Sequence, residues 1–133
     1  VATDFVKPNG IAFSPDERVL YVADTGGSHV ADGPRHIRRF EVKPDGRSLG
    51  ASRILAVCRD GLFDGFRCDR DGRIWTSTGG GVDCYLPDGT LIGAVRIPEL
   101  VANVAFGGPR RNRLFICGTT SLYGVYLAVT GAA

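Results

Sequence analysis

The sequence predicts an all-β fold, built as a segment of a β-propeller. Short runs rich in Val, Ile, Tyr, Phe and Thr are separated throughout by Gly, Pro and Asp, the pattern of strands and tight turns. No stretch shows the 3.6-residue apolar period of a helix, so no helices are expected. The order of strands and turns also repeats. Its first strands open at Asn9, Asp64 and Asn103, 55 and 39 residues apart. Four-stranded propeller blades recur at roughly 40–50 residues.

In the first unit, Asn9-Gly10-Ile11-Ala12-Phe13 predicts an inner strand that ends in the turn Ser14-Pro15-Asp16-Glu17. A second strand follows over 19–25. A Gly-rich loop, 26–35, leads to a third over 36–42, and Pro44-Asp45-Gly46 turns the chain into a fourth over 53–57. The second unit repeats this order: strand 64–69, turn Asp71-Gly72, strand 73–78, loop Gly79-Gly80-Gly81, strand 82–86, turn Pro87-Asp88-Gly89 and strand 90–97. Asp-Gly is a strong hairpin signal because Gly accepts positive φ at no steric cost. The third unit offers strands at 103–108, 113–117 and 122–129, a loop at 118–121, and no fourth strand.

The units therefore cover approximately 9–57, 64–97 and 103–129 of one partial propeller domain, 1–133. That is about two and three-quarter blades, and a closed propeller has at least about four. This chain alone is not expected to close a ring. The missing fourth strand is expected from sequence preceding Val1. The chain has no Met and no leader pattern, so it is expected to be processed or a piece of something longer.

Composition narrows the function classes. A net charge of +2 gives no electrostatic footprint for nucleic acid or a membrane surface, so neither partner is expected. No apolar run approaches the roughly 20 residues of a membrane helix. Four cysteines stand at 58, 68, 84 and 117 without a C-x-x-C pair, which argues against structural zinc. Cys68, Cys84 and Cys117 sit in apolar strand patterns and are expected to be buried as small hydrophobes. Free cysteines favour a cytoplasmic location over a periplasmic or secreted one.

Blade topology places the chemistry. If the first strand of each blade starts at the upper face, Asn9, Asp64 and Asn103 converge at one mouth of one channel. The loops 26–35, 79–81 and 118–121 rim that mouth, and the Asp-Gly turns lie at the opposite face. Two readings are open at this level. Convergent carboxylate and amide oxygens suit a hard divalent cation. Asn and Asp also start strands as turn residues that satisfy backbone groups locally.

Several motifs together carry a resemblance. They are Lys7-Pro8-Asn9-Gly10-Ile11-Ala12-Phe13-Ser14-Pro15-Asp16-Glu17, Leu20-Tyr21-Val22-Ala23-Asp24-Thr25 and Gly33-Pro34-Arg35-His36-Ile37-Arg38-Arg39-Phe40. Asp64-Gly65 before Asp71-Gly72-Arg73-Ile74-Trp75, and Asn103-Val104-Ala105-Phe106-Gly107-Gly108, add to them. The chain resembles the gluconolactonase/regucalcin family, also called the senescence-marker-protein family, over essentially its whole length. It matches only the C-terminal half of the family's fold. The resemblance implies a six-bladed propeller with one divalent cation at the channel mouth, and hydrolysis of sugar lactones such as gluconolactone. It implies Asn9 and Asp64 as metal ligands, with Asp64 also the general base, and Ca2+ before Mg2+, Zn2+ or Mn2+. Asn103 matches a frequent motif and is expected to be a structural strand-start residue. The family's Glu ligand and a further Asn fall in blades outside this sequence.

The expected reaction is metal-assisted ester hydrolysis, in which Asp64 or a water it orients provides the base. There is no G-x-S-x-G elbow, so no serine nucleophile is expected. His29, in the rim loop, and Thr25, at the end of the second strand, are candidate substrate contacts. His36 begins a strand and is expected to be structural. The competing class is a non-catalytic propeller fragment, a binding platform or a module that self-associates through open blade edges.

Overall fold

The structure is a computed structural model and describes residues 1–132. Ala133, the last residue of the domain expected over 1–133, lies outside the described residues. The first sheet is formed in order by β1 (Pro8–Phe13), β2 (Val19–Asp24), β3 (His36–Val42) and β4 (Leu49–Val57). The second holds β5 (Phe66–Cys68), β6 (Ile74–Thr78), β7 (Gly81–Tyr85) and β8 (Leu91–Arg96). The third holds β9 (Val101–Gly107), β10 (Arg113–Gly118) and β11 (Leu122–Tyr126). Every pairing is antiparallel and joins neighbours in sequence. β5 lies against β1 on one side and β9 on the other, so the first strands of the three sheets stand side by side.

The predicted all-β architecture is the one observed, with local differences. Among the described residues there is no α-helix, but a 3₁₀ turn forms at Gly26–Ser28 inside the Gly-rich loop. β5 is shorter than the expected 64–69, because Asp64 and Asp69 spend their backbone groups on turn and side-chain partners. β9 begins at Val101, so Asn103 lies inside a strand, opposite Cys117, and not at its start. No helix among the described residues is long and apolar enough to cross a membrane.

The Asp-Gly turns share one construction. Gly46, Gly72 and Gly89 have φ of 64°, 80° and 95°. Each donates its N–H to the carbonyl three residues earlier, at Lys43, Asp69 and Leu86. Two of them are three-residue hairpin loops, 70–72 and 87–89, and the first, 44–47, is one residue longer; all carry glycine in the left-handed position. The turn after β5 also contains a fully buried carboxylate, Asp69. It accepts from the N–H groups of Asp71 (3.0 Å) and Arg73 (2.9 Å), from Arg73 Nη1 (3.0 Å) and from Trp75 Nε1 (3.0 Å). The tail reaches the same corner, where Arg70 N–H donates to Thr130 and Ala132 N–H to Cys68.

The sheets pack face to face. Tyr21, Ile37, Phe63, Phe66, Ile74 and Tyr85 fill the space between the first and second. Val82, Val101, Val104, Leu114 and Ile116 fill the space between the second and third. Each such side chain stabilises the fold by about 1.5–3 kcal/mol relative to exposure. The four cysteines are free. Burial pushes the Cys68 and Cys84 thiols up to about 12, so they behave as small hydrophobes. Cys117, expected to be buried, is exposed. It alternates with Leu114 and Ile116 along β10 and falls on the opposite face.

The outer flanks are open. On one, Ile11 and Phe13 are 59% and 50% exposed, although Ala2 and Phe5 cover the neighbouring Leu20, Val22 and Phe40. On the other, Leu122 and Tyr126 are each 70% exposed.

Removing the Asp69 carboxylate leaves the indole N–H of Trp75 and the turn N–H groups of Asp71 and Arg73 without their acceptor, and leaves the Arg73 head group only its Asp71 partner. Asp69→Ala is expected to lower stability by about 3 kcal/mol, read as a shift in the urea unfolding midpoint against wild type.

Candidate metal centre

Asn9 is presented by a break in the strand ladder. Pro8 pairs with Asp24 and Ile11 with Val22, so Asn9 and Gly10 together oppose the single residue Ala23. This is a β-bulge, a device that re-aims a side chain and recurs beside active sites. It leaves Asn9 exposed.

Gly10 then admits the next blade. A Cβ at Gly10 would lie 2.0 Å from the Asp64 carbonyl oxygen, so only glycine allows that approach. The same relation holds one blade on, where a Cβ at Gly65 would lie 2.1 Å from Asn103 Oδ1. Gly65 N–H donates to the Ala102 carbonyl at 2.8 Å across that boundary. Asp64 is thus brought beside Gly10, and Asn103 beside Gly65, along the inner strands of neighbouring blades.

Their side chains differ in how they are used. Asp64 is half-buried. Its N–H donates to Ser77 Oγ (2.9 Å), and Ser77 N–H donates to the Gly65 carbonyl (3.0 Å). These bonds hold the Asp64 backbone, while its carboxylate accepts no hydrogen bond from the described residues. Asn103 Oδ1 accepts from the Val104 N–H at 2.9 Å, so its amide is turned onto its own backbone. Among the described residues, no three His, Cys, Asp or Glu side chains converge as a metal cluster. In kind, the Asn9 amide and the unpartnered Asp64 carboxylate fit a hard cation. In number they are an incomplete set.

The rim carries further polar groups. His29 is exposed, and Lys7 Nζ stands 2.8 Å from its Nε2 and 2.9 Å from its Nδ1. Ser28 Oγ lies 2.6 Å from Nδ1 and donates to the Thr25 carbonyl at 2.8 Å. Thr25, expected at the site as a substrate contact, is buried at 3% exposure, and its hydroxyl donates to the Lys7 carbonyl at 3.2 Å. It supports the rim from behind.

On the third blade, Glu99 binds the 118–121 loop. Its carboxylate accepts from Thr120 N–H (2.9 Å), Thr120 Oγ1 (3.1 Å), Ser121 Oγ (2.7 Å) and Tyr123 Oη (2.9 Å). These donors, led by the Thr120 N–H, hold its pKa down at about 2. Sequence reasoning missed Lys7, Ser77 and Glu99. Only Lys7 carried a local signal, as the residue before Pro8-Asn9.

A family model described as the SMP-30/Gluconolactonase/LRE-like region matches residues 1–120. The chain belongs to this family. A solved gluconolactonase from Xanthomonas campestris aligns with it at TM-score 0.80 and 36% identity, over 97% of this chain and 39% of that one. Regucalcin from Agrobacterium tumefaciens, a calcium-binding protein, aligns at TM-score 0.76 and 24% identity over 98% of this chain and 48% of that one, a likeness of fold. The lactonohydrolase oryH of Aspergillus oryzae is 29% identical over 143 residues, covering 95% of this chain and 30% of its own length. The chain therefore spans less than half the length of these relatives. Its three sheets are those of a gluconolactonase-type propeller.

The Glu99 network gives a pH signature. Its pKa falls from 4.5 to about 2 on folding, so its contribution is complete above 4.5 and fades as pH falls toward 2. Glu99→Gln is expected to be less stable than wild type at neutral pH, with the difference closing between pH 4.5 and 2, followed by urea midpoints across that range.

Proposed function

We propose that this chain is part of a divalent-metal-dependent lactone hydrolase acting on sugar lactones. Asn9 and Asp64 serve as cation ligands, and Asp64 also as the general base. One observation carries the reading. Gly10 lets the Asp64 backbone approach the strand that carries Asn9, and no donor among the described residues reaches the Asp64 carboxylate. The gluconolactonase and lactonohydrolase relatives support the reaction class.

Oxygen donors favour Ca2+, with Mg2+, Mn2+ and Zn2+ as alternatives. Calcium takes about six to eight oxygens. We assign the remainder to water and to blades beyond this chain, which would also cover Ile11 and Phe13 on one flank and Leu122 and Tyr126 on the other. A cation bound there would polarise the lactone carbonyl and stabilise the oxyanion. Asp64 takes the proton of the attacking water, and its backbone, pinned by Ser77, holds it in place for that transfer. The half-buried Lys7 and the exposed His29 present polar nitrogens at the rim to substrate hydroxyls.

In the whole protein, EDTA is expected to abolish gluconolactone hydrolysis and Ca2+ to restore it. Asp64→Asn is expected to lower kcat by about 10²–10⁴-fold, measured by pH-stat titration of the acid released. An unchanged kcat in that variant would remove Asp64 from the mechanism.

A further inference from the structure

We propose that Asp24 is the positioning residue of this site. Its buried carboxylate clamps the segment before Asn9 to the end of β2 and so sets where the Asn9 amide is presented. This rests on the metal-site reading above only in what Asn9 does once it is placed.

Asp24 is 2% exposed. Its Oδ2 accepts from the Val6 N–H at 2.9 Å. Its Oδ1 accepts from the N–H groups of Lys7 (2.9 Å) and Gly26 (3.1 Å). Thr25 holds the other end of Lys7, since both its N–H (2.9 Å) and its hydroxyl (3.2 Å) donate to the Lys7 carbonyl. Lys7 is therefore fixed through both its N–H and its carbonyl. Pro8 follows, with φ set by its ring, and pairs with Asp24 itself. The ladder resumes at Ile11 opposite Val22. Only Asn9 and Gly10 lie between these two anchors.

A bulge is a choice of register, and a one-residue slip would send Asn9 to the other face of the strand. The Asp24 clamp selects the observed register. The chemistry suits a carboxylate: it is acceptor-only, with two oxygens for three peptide donors. An amide of the same shape would turn an N–H toward one of them. The same carboxylate also anchors Gly26, the start of the 3₁₀ turn that carries Ser28 and leads to His29. A Cβ at Gly26 would lie 2.7 Å from Val6 Cβ, so this turn packs directly on the clamped segment. One buried group thus sets both the Asn9 bulge and the His29 rim.

The test compares Asp24→Asn with Asp69→Asn in the whole protein. Asp69 is an equally buried carboxylate in the turn at the other end of β5, and its variant controls for general loss of stability. All variants are read where circular dichroism shows them folded. By calcium titration calorimetry, Asp24→Asn is expected to raise Kd by about 10–100-fold, the cost of losing a group that orients a ligand. Asp69→Asn is expected to leave Kd near wild type. Amide exchange without calcium, read by mass spectrometry over residues 6–10, is expected to be about tenfold faster in Asp24→Asn, the cost of a lost charged hydrogen bond, and unchanged in Asp69→Asn. Thr25→Val removes only the hydroxyl bond to Lys7. It is expected to move both readings the same way by about threefold, which keeps the proposal open to test should Asp24→Asn not fold. Wild-type Kd together with wild-type exchange over 6–10 in the folded variant would overturn the proposal. Absence of calcium binding by wild type would sink the metal reading instead, and the exchange data would still decide the role of Asp24.

Discussion

A Cβ on Gly10 would meet the Asp64 carbonyl at 2.0 Å, and one on Gly65 would meet Asn103 Oδ1 at 2.1 Å. Real side chains cannot be accommodated at such distances, so each blade boundary needs a glycine on one side, Gly10 against the Asp64 carbonyl and Gly65 against the Asn103 amide. This contact sets how close the inner strands come. It lets the Gly65 N–H bond directly to Ala102 in the next blade, and it brings the strand starts together. The faces between the sheets are filled by Tyr21, Phe66, Ile74 and Tyr85 on one side of the second blade and by Val104, Leu114 and Ile116 on the other.

The carboxylates show a division of labour between the two ends of the blades. At the turn end, Asp45, Asp69 and Asp88 accept backbone N–H groups of their own turns. At the mouth, Asp24 and Glu99 do the same for the rim, holding Val6, Lys7 and Gly26 in one case and the 118–121 loop in the other. Asp64 differs: its backbone is held by Ser77, and its half-buried carboxylate accepts no hydrogen bond from the described residues. Carboxylates satisfied by N–H groups build structure at little cost. A half-buried carboxylate left free beside them is disposed toward a ligand.

Much of this was legible in the sequence because it is local. Hairpin turns declare themselves in Asp-Gly pairs, strands in their β-branched runs, and the blades in the recurrence of the whole pattern. Asp64, Asn9 and their convergence followed from the repeat and the direction of the strands. What was not legible depends on partners far along the chain. The Asn9 bulge arises from pairing with β2, the Glu99 network joins residues 24 apart, and the exposure of Cys117 depends on which face of β10 the third blade turns inward. Thr25 is a candidate substrate contact by its place at the end of the second strand. Its hydroxyl goes instead to a carbonyl 18 residues away.

The contrast between Asn9 and Asn103 shows why a repeat alone does not define a site. Both stand at the inner strand of a blade and both precede an apolar run. β9, however, begins two residues before Asn103 and pairs it with Cys117 inside the ladder, and its Oδ1 is drawn to the next N–H. The irregularity of β9 falls instead where Val101 pairs with Gly118, one step before Asn103. In β1 it falls on Asn9 itself, after a segment clamped by Asp24 and Thr25. The repeat delivers three equivalent positions to the channel. In the first and third blades the place of the bulge against the neighbouring strand then separates Asn9, which is exposed, from Asn103, which bonds its own backbone.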